Sequence, residues 1–294
     1  MEHKPVMVEE VITGLNLKAN DNVIDCTFGR GGHTKAFLQA TAPSGKVLAI
    51  DADERAFTEG LSEIASADRV RIIPVSDNFR NLAAVAAKYG CKEADAVFLD
   101  LGVSSPMFDD PSYGMSFRGE APLDMRFNKK IQTLTAADIV NHWSEKQIQT
   151  ILKDFADEFR VVGLARAIVE KRRIKEIKTT ADLVEIIQSV YRGRGGKIHP
   201  ATKTFQALRM AVNDELGALQ AVLPATIQLL RKGGCFGILS FHSKEDRLIK
   251  IFLRERERAG EIRRLHKHVI RATRTECLEN PRSRSAKLRL IEKL

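Results

Sequence analysis

Several features that would define common protein classes are missing from this chain of 294 residues. Its four cysteines lie far apart, at positions 26, 91, 235 and 277, and no C-x-x-C pair occurs, which argues against a zinc site and a disulfide scaffold. No stretch approaches the roughly 18 apolar residues of a membrane span. The charged first residues lack the apolar core of a signal peptide. We therefore expect a cytoplasmic protein without a metal or membrane contact.

Charge is unevenly distributed along the chain, although the net charge is only +9. Residues 1–159 hold 17 Lys and Arg against 24 Asp and Glu, whereas 160–209 hold 12 against 4 and 250–294 hold 14 against 6. An acidic first half with two basic stretches favours a polyanionic partner such as nucleic acid. Solvated helix faces remain the alternative, particularly for the alternating charges of 254–258.

Apolar runs typical of strands alternate with helical patterns through the first hundred residues. The predicted strands are 22–26, 46–51, 69–75 and 94–101, and the predicted helices are 33–41, 53–66 and 79–89. This alternation predicts an α/β fold with a parallel sheet and crossover helices.

The pattern changes after residue 104, where a loop rich in proline and glycine precedes helical periodicity without strands. Helices are predicted at 135–142, 145–154, 157–173 and 180–191, then at 204–213 and 215–230, and strands return at 235–240 and 288–291. With 44% hydrophobic residues, the chain can bury a substantial core. We predict an α/β domain, formed by residues 1–104 and 201–294, that is interrupted by a mostly helical domain at 105–200.

A glycine-rich turn follows the first predicted strand and precedes a helix, in Asp25-Cys26-Thr27-Phe28-Gly29-Arg30-Gly31-Gly32-His33. The next strand ends in Asp51, an acid that can hold ribose hydroxyls. This layout indicates a nucleoside-containing cofactor at the carboxyl ends of the strands. The third glycine of a dinucleotide fingerprint is missing, which favours S-adenosylmethionine over NAD. A tight turn without a ligand is the remaining alternative.

Seven motifs, in order, are similar to those of the bacterial 16S ribosomal RNA cytosine-N4 methyltransferases, the RsmH or MraW family. The resemblance covers essentially the whole chain. The motifs are Thr27-Phe28-Gly29-Arg30-Gly31-Gly32-His33, Asp100-Leu101-Gly102-Val103-Ser104-Ser105-Pro106, Pro122-Leu123-Asp124-Met125-Arg126, His199-Pro200-Ala201-Thr202-Lys203-Thr204-Phe205-Gln206, Val212-Asn213-Asp214-Glu215-Leu216, Ser240-Phe241-His242-Ser243-Lys244-Glu245-Asp246-Arg247 and Asn280-Pro281-Arg282-Ser283-Arg284-Ser285.

The resemblance implies a class I, Rossmann-like, S-adenosylmethionine-dependent methyltransferase with an inserted helical domain that recognises the substrate. The implied reaction is methylation of a cytidine N4 amine of 16S ribosomal RNA, in the decoding region of the small subunit. The cofactor contacts would fall on Gly31, Gly32, His33, Asp51, Phe79 and Asp100. Whether the chain forms a homodimer stays open.

Catalysis requires an acceptor for the hydrogens of the cytosine amine, whose lone pair is delocalised into the ring. Asp100 is the first candidate, and Ser105, before Pro106, is the second. The chain departs from the family at Met107, where glutamine is usual, because methionine cannot donate an amide hydrogen bond. Other departures lie in the same loop, so we expect them to affect substrate affinity more than reaction type.

An RNA substrate also predicts stacking and phosphate contacts, since a target base must be unpaired or flipped out. Phe108, Tyr113 and Phe117, in the loop after the fourth predicted strand, would either stack on the base or pack in the core. The candidate phosphate contacts are Arg192, Arg194, Lys197, Lys203, Arg282 and Arg284. The competing functions are an NAD-dependent oxidoreductase and a non-catalytic RNA-binding factor for ribosome assembly.

Overall fold

The computed structural model describes residues 4–103, 105–191 and 199–294, which divide into two compact units. One unit consists of Met1–Gly102 and Leu216–Leu294, and the other of Val103–Glu215. The second unit thus extends past the expected boundary at residue 200. The reason is that Phe205, Leu208 and Val212 belong to its hydrophobic core.

The first unit is built on a seven-stranded sheet. Its strands are β1 (Val23–Asp25), β2 (Val47–Asp51), β3 (Ile72–Ser76), β4 (Ala94–Asp100), β5 (Leu230–Ser240), β6 (Ile262–Arg264) and β7 (Lys287–Lys293). Their order is β3-β2-β1-β4-β5-β7-β6, with β1 to β5 parallel and β7 antiparallel to both β5 and β6. The chain leaves β1 towards one edge and β4 towards the other, so the topological switch point lies between them.

The strands of this sheet are apolar because both faces are covered. Alternate residues point to opposite faces of a strand. Ile24, Leu48 and Val97 accordingly enter one buried cluster, while the residues before them, Val23, Val47 and Ala96, enter another. The nearly continuous apolar runs that predicted strands are therefore the signature of a sheet buried between two helical layers.

The helices are α1 (Val8–Leu15), α2 (Gly32–Ala40), α3 (Glu54–Gly60), α4 (Ser66–Arg69), α5 (Leu82–Lys88), α6 (Ser105–Asp109), α7 (Ala136–His142), α8 (Glu145–Ala156), α9 (Val161–Ile174), α10 (Thr180–Tyr191), α11 (Ala201–Asn213), α12 (Glu215–Leu229), α13 (Ser243–Arg258) and α14 (Arg274–Glu279). Helices α6 to α11 belong to the second unit. Among the described residues, no helix has the length and apolar character needed to cross a bilayer.

The predicted α/β class is confirmed, and the predicted parallel pairing holds for β1 to β5, whereas β7 is antiparallel to its neighbours. The predicted helix 157–173 begins only at Val161, because Asp157 adopts a left-handed conformation (φ 47°) that ends α8. The short strand β6 and the helices α1, α6, α13 and α14 were not predicted. All except α13 are three to eight residues long, too short for a clear apolar period, and α13 was indicated only by the alternating charges of 254–258.

Within the second unit, Tyr113 and Asn213 have structural roles. Tyr113 is only 2% exposed and lies in the core, so it packs rather than stacks on a base. Asn213 accepts hydrogen bonds from the Phe127 amide and from Gln132 Nε2, and its own amide donates to the Met125 carbonyl. Asn213 therefore holds the loop that precedes α7.

Candidate functional site

The glycine-rich turn after β1 is held by backbone hydrogen bonds and by packing. The Phe28 amide donates to the Ile50 carbonyl at 2.9 Å, and the Gly31 amide donates to the Phe28 carbonyl at 2.7 Å. Gly29 and Gly31 have φ of +55° and +74°, in the left-handed region that favours glycine. A Cβ on Gly31 would lie 2.9 Å from the Phe28 ring, whereas one on Gly29 would approach nothing closer than 4.0 Å. Gly31 is thus tightly packed against its neighbours, whereas Gly29 has free space beside its Cα.

Helix α2 begins at Gly32, directly after this turn. A Cβ on Gly32 would lie 2.9 Å from the Pro5 ring, so the glycine permits the amino-terminal segment to pack on the helix start. The first amide groups of a helix have no partner within the helix and carry the positive end of its dipole. This end of α2 therefore suits a carboxylate or another electron-rich group of a ligand.

Asp51 connects the turn to the end of β2. Its Oδ2 accepts a hydrogen bond from the Gly29 amide at 2.7 Å, and its Oδ1 accepts one from the Asp53 amide at 2.9 Å. Burial raises the pKa of Asp51 to about 7 despite these two donors. Each carboxylate oxygen keeps a further lone pair, so Asp51 can still accept hydrogen bonds from ribose hydroxyls.

His33, in the first turn of α2, is buried and neutral. Its Nε2 lies 2.9 Å from the Val6 carbonyl oxygen, which can only accept, so Nε2 carries the proton. Burial lowers the pKa of His33, which keeps the ring uncharged. The unprotonated Nδ1 lies 3.9 Å from Oδ2 of Asp100. His33 is thereby held to the amino-terminal segment by its hydrogen bond to Val6, and its ring lies beside the end of β4.

Asp100 is the last residue of β4, at the switch point of the sheet. Its amide donates to Oγ1 of Thr27 at 2.7 Å, and its Oδ1 accepts from the Gly102 amide at 2.9 Å. Burial, together with the charge of Glu245, raises the pKa of Asp100 to about 6, although the hydrogen bond from the Gly102 amide acts in the opposite direction. The site thus holds this carboxylate in a position where it titrates close to neutral pH.

Phe79 follows β3 and begins a short 3₁₀ turn, Phe79–Asn81. Asn78 caps the turn by accepting a hydrogen bond from the Arg80 amide at 3.0 Å. The Phe79 ring is partly buried against the core of the first unit. A half-buried ring at the carboxyl end of a strand offers an apolar surface for a flat ligand group such as adenine.

The sequence reasoning missed a buried polar pair beneath the turn. Asp25 is fully buried, and its Oδ2 accepts a hydrogen bond from Oγ1 of Thr34 at 2.6 Å. Its Oδ1 accepts from the Thr27 amide at 3.1 Å, and burial raises its pKa. The position of Asp25 at the end of a buried strand, as for Asp51 and Asp100, was the signal that could have identified it.

Polar side chains at the end of β5 were also missed. Glu245 is buried, and its Oε2 accepts from the amides of Phe241 and His242 at 2.9 and 3.3 Å, in a box that caps α13. The hydroxyl of Ser240 is buried and has no hydrogen-bond partner within the part of the chain that the structure describes. Buried hydroxyls are normally paired, so Ser240 is an exception among the described residues.

The residues predicted to bind RNA are placed as follows. Phe108 is 38% exposed, and Arg282 and Arg284 are exposed, with Arg284 Nε donating to the Cys277 carbonyl at 3.2 Å. Lys203 lies on α11, where its ammonium donates to the Asp157 carbonyl. Arg192, Arg194 and Lys197, together with the side chain of Ser105, lie outside the described residues.

The strand ends together define the class of the site. Asp25, Asp51 and Asp100 end three neighbouring parallel strands, and the glycine-rich turn lies at the same edge of the sheet. Ligands of open α/β sheets bind outside the carboxyl ends of the strands, at the switch point. These features are those of a class I, Rossmann-like methyltransferase.

Comparison with known proteins gives the family. The model of the MraW methylase family matches residues 1–294. The chain is 41% identical to ribosomal RNA small subunit methyltransferase H of Thermomicrobium roseum, over 99% of this chain and 94% of that protein. It is 39% identical to the protein of the same name from Symbiobacterium thermophilum, over 99% and 96%. The chain therefore belongs to the MraW methylase family, and its cofactor is S-adenosylmethionine, as predicted.

Solved structures that align with this chain have much lower sequence identity to it. An rRNA methylase from Streptococcus thermophilus has a TM-score of 0.46 at 11% identity, covering 100% of this chain and 99% of that one. A structure from Streptococcus mutans, in complex with SAH, has a TM-score of 0.46 at 13% identity, with 100% of both chains covered.

Proposed function

We propose that this chain transfers the methyl group of S-adenosylmethionine to the N4 amine of a cytidine in 16S ribosomal RNA, in the decoding region of the small subunit. The names of the relatives support ribosomal RNA of the small subunit as the substrate. The choice of the cytosine amine rests on the resemblance of the motifs. The observation that carries the proposal is the Asp100 carboxylate at the switch point.

Asp100 can serve as the hydrogen-bond acceptor that the N–H groups of the cytosine amine require. The cytosine amine must give up part of the delocalisation of its lone pair before it can attack a methyl group. A carboxylate that accepts a hydrogen bond from an amine N–H promotes this change, while fixed geometry keeps nitrogen in line with the methyl group. Only one oxygen of Asp100, Oδ1, accepts from the Gly102 amide. Oδ2 therefore retains acceptor capacity for a substrate.

Other residues of the first unit would hold the cofactor. Asp51 would accept from the ribose hydroxyls, Phe79 would pack on the adenine, and Gly31, Gly32 and His33 would line the turn beside it. S-adenosylmethionine supplies a methyl group bound to a positively charged sulfur, which is a good leaving group. The methylated amine is strongly acidic, so no side chain has to act as a strong base.

The second unit, Val103–Glu215, is the proposed substrate-recognition domain. It contains the basic stretch 160–209, with 12 Lys and Arg against 4 Asp and Glu. A stretch of this charge suits phosphates of the RNA backbone. Phe108, exposed in the same unit, and Ser105 stay candidates for contacts with the target base.

Nucleoside mass spectrometry of 16S ribosomal RNA tests the proposed function directly. RNA from cells that lack the gene should lose one N4-methylated cytidine signal, and the purified protein should restore that signal with methyl-labelled S-adenosylmethionine. A protein that binds the RNA without transferring label would instead be an assembly factor. An unchanged nucleoside profile would refute the cytidine N4 assignment.

A further inference from the structure

Phe159, in the second unit, is the most exposed large hydrophobic residue that the structure describes, at 88%. Phenylalanine is usually buried. Isolated apolar residues are nevertheless common on protein surfaces, so the exposure of Phe159 is not sufficient evidence of a role. What distinguishes Phe159 is the construction of the connection that carries it, between the end of α8 and the start of α9.

The backbone of this connection is fixed by a buried carboxylate. Glu158 is only 5% exposed, and its Oε1 accepts hydrogen bonds from the amides of Phe159 and Arg160, at 2.7 and 3.0 Å. The hydroxyl of Tyr191, at the end of α10, donates to the same oxygen. Glu158 Oε2 is buried without a hydrogen-bond partner within the described ranges. Glu158 thus fixes the backbone at Phe159 and Arg160 and ties this connection to the end of α10.

One cation, Lys203, lies against the exposed ring, and the cation of the next residue, Arg160, packs on Tyr191. The ammonium of Lys203 lies 3.8 Å from the centroid of the Phe159 ring and donates to the Asp157 carbonyl at 2.7 Å. Arg160, the next residue, donates to the Val190 carbonyl, and its guanidinium lies 5.0 Å from the Tyr191 ring centroid. At 88% exposure, the Phe159 face away from Lys203 is open to a flat partner.

We propose that Phe159 is a stacking platform for an unpaired nucleobase of the RNA substrate, and that Lys203 neutralises a phosphate beside it. Unpaired bases stack on exposed aromatic rings, and cations near such rings follow the backbone. The basic charge of 160–209 favours a polyanion over a protein partner. This inference rests on the proposed function only in taking RNA as the substrate.

The test compares Phe159→Ala with a matched control, Ile174→Ala. Ile174 is 84% exposed at the opposite end of α9, about 20 Å away at the rise of an α-helix. For Phe159→Ala we expect the KM for 16S RNA to rise about fivefold to a hundredfold, the usual loss for one stacked base. The kcat and the affinity for S-adenosylhomocysteine should not change. Phe159→Trp should retain the wild-type KM, and so should Ile174→Ala.

Binding to an unstructured RNA oligonucleotide provides a second readout that requires no catalysis. Phe159→Ala should weaken this binding, and Lys203→Ala should weaken it while lowering the dependence on salt by roughly one phosphate contact. A wild-type KM and RNA affinity in a folded Phe159→Ala variant would overturn the inference and leave the proposed function intact. If the wild type methylates no RNA, the proposed function fails, and the oligonucleotide comparison alone then decides the role of Phe159.

Discussion

At the scale of single residues, the titration of Asp100 predicts the pH dependence of methyl transfer. Burial raises the pKa of this carboxyl to about 6, and only the ionised form accepts amine hydrogens fully. We expect kcat/KM for RNA to fall as the pH decreases through this value, by about tenfold per unit below it. The measurement is a pH–rate profile at saturating donor and at RNA concentrations below the KM.

Asp100→Asn provides the comparison, because it keeps the shape and removes the ionisation. It should lower kcat by about a hundredfold or more and abolish the pH dependence between pH 5 and 7. Asp21→Asn, before β1 at the opposite edge of the sheet, should behave like the wild type. Near-normal turnover of the Asp100 variant would remove this residue from the mechanism.

Asp51 predicts a separate pH effect, on binding of the cofactor rather than on turnover. Its pKa of about 7 in the free protein means that acidification protonates the group that should accept from the ribose hydroxyls. Because a bound donor favours the ionised form, affinity should fall as the pH decreases below about 7 and should level off above it. Calorimetry with S-adenosylhomocysteine between pH 5.5 and 8 measures this dependence.

The Asp51→Asn variant separates this effect from general acid sensitivity. It should weaken binding by about tenfold to a hundredfold at pH 8, as expected for the loss of a charge-assisted hydrogen bond, and its affinity should no longer depend on pH. An identical dissociation constant for the wild type at pH 5.5 and 8 would show that Asp51 does not contact the ribose.

At the scale of secondary-structure elements, the junction of β1 and α2 depends on one buried hydrogen bond. Thr34→Val would remove the hydroxyl that donates to the fully buried Asp25 carboxylate. We expect the free energy of unfolding to fall by about 1–3 kcal/mol, the cost of leaving a buried acceptor unpaired. Urea denaturation checks this value. Thr34→Ser retains the hydroxyl and should lose only about 1 kcal/mol for its methyl group, so equal losses in both variants would contradict the role of the hydrogen bond.

The elements that the sequence predicted are those whose pattern comes from burial. Strands β1, β2 and β4 were predicted because a sheet covered on both faces leaves nearly unbroken apolar runs. An acidic residue directly after each apolar run could also be recognised in the sequence, although only Asp51 and Asp100 were predicted to belong to the site. Asp25 was overlooked, since its role depends on Thr34, a contact between side chains that no spacing rule specifies.

Other features carried no signal that the sequence rules recognise. The capping box of α13 is local, but its first residue is His242 where Ser or Thr is usual, so it was not identified. The start of α9 is set by Glu158, which binds the backbone of Phe159 and a hydroxyl of α10. Helical periodicity alone placed that start four residues too early, inside the connection that exposes Phe159.

At the scale of the whole molecule, the division into units follows contacts rather than composition. The change to a proline- and glycine-rich loop located the first boundary near residue 104, close to the observed Gly102. The second boundary was placed at 200 because the sequence there suggests a loop. Helix α11 instead packs in the core of the second unit, which ends at Glu215.

The uneven charge of the molecule predicts how RNA binding depends on salt. The exposed Arg282 and Arg284 belong to the basic carboxyl-terminal stretch, and each phosphate that a cation neutralises contributes about −0.7 to the slope of log affinity against log salt for single strands. Arg282→Ala with Arg284→Ala should therefore make the slope shallower by about 1.4.

Arg254 and Arg258 are also exposed but alternate with Glu255 and Glu257, so their double substitution should leave the slope unchanged. Fluorescence anisotropy between about 50 and 200 mM salt measures these slopes. Equal changes of the slope in the two double variants would mean that RNA affinity depends only on the net charge of the protein. The 280–285 motif would then make no phosphate contact of its own.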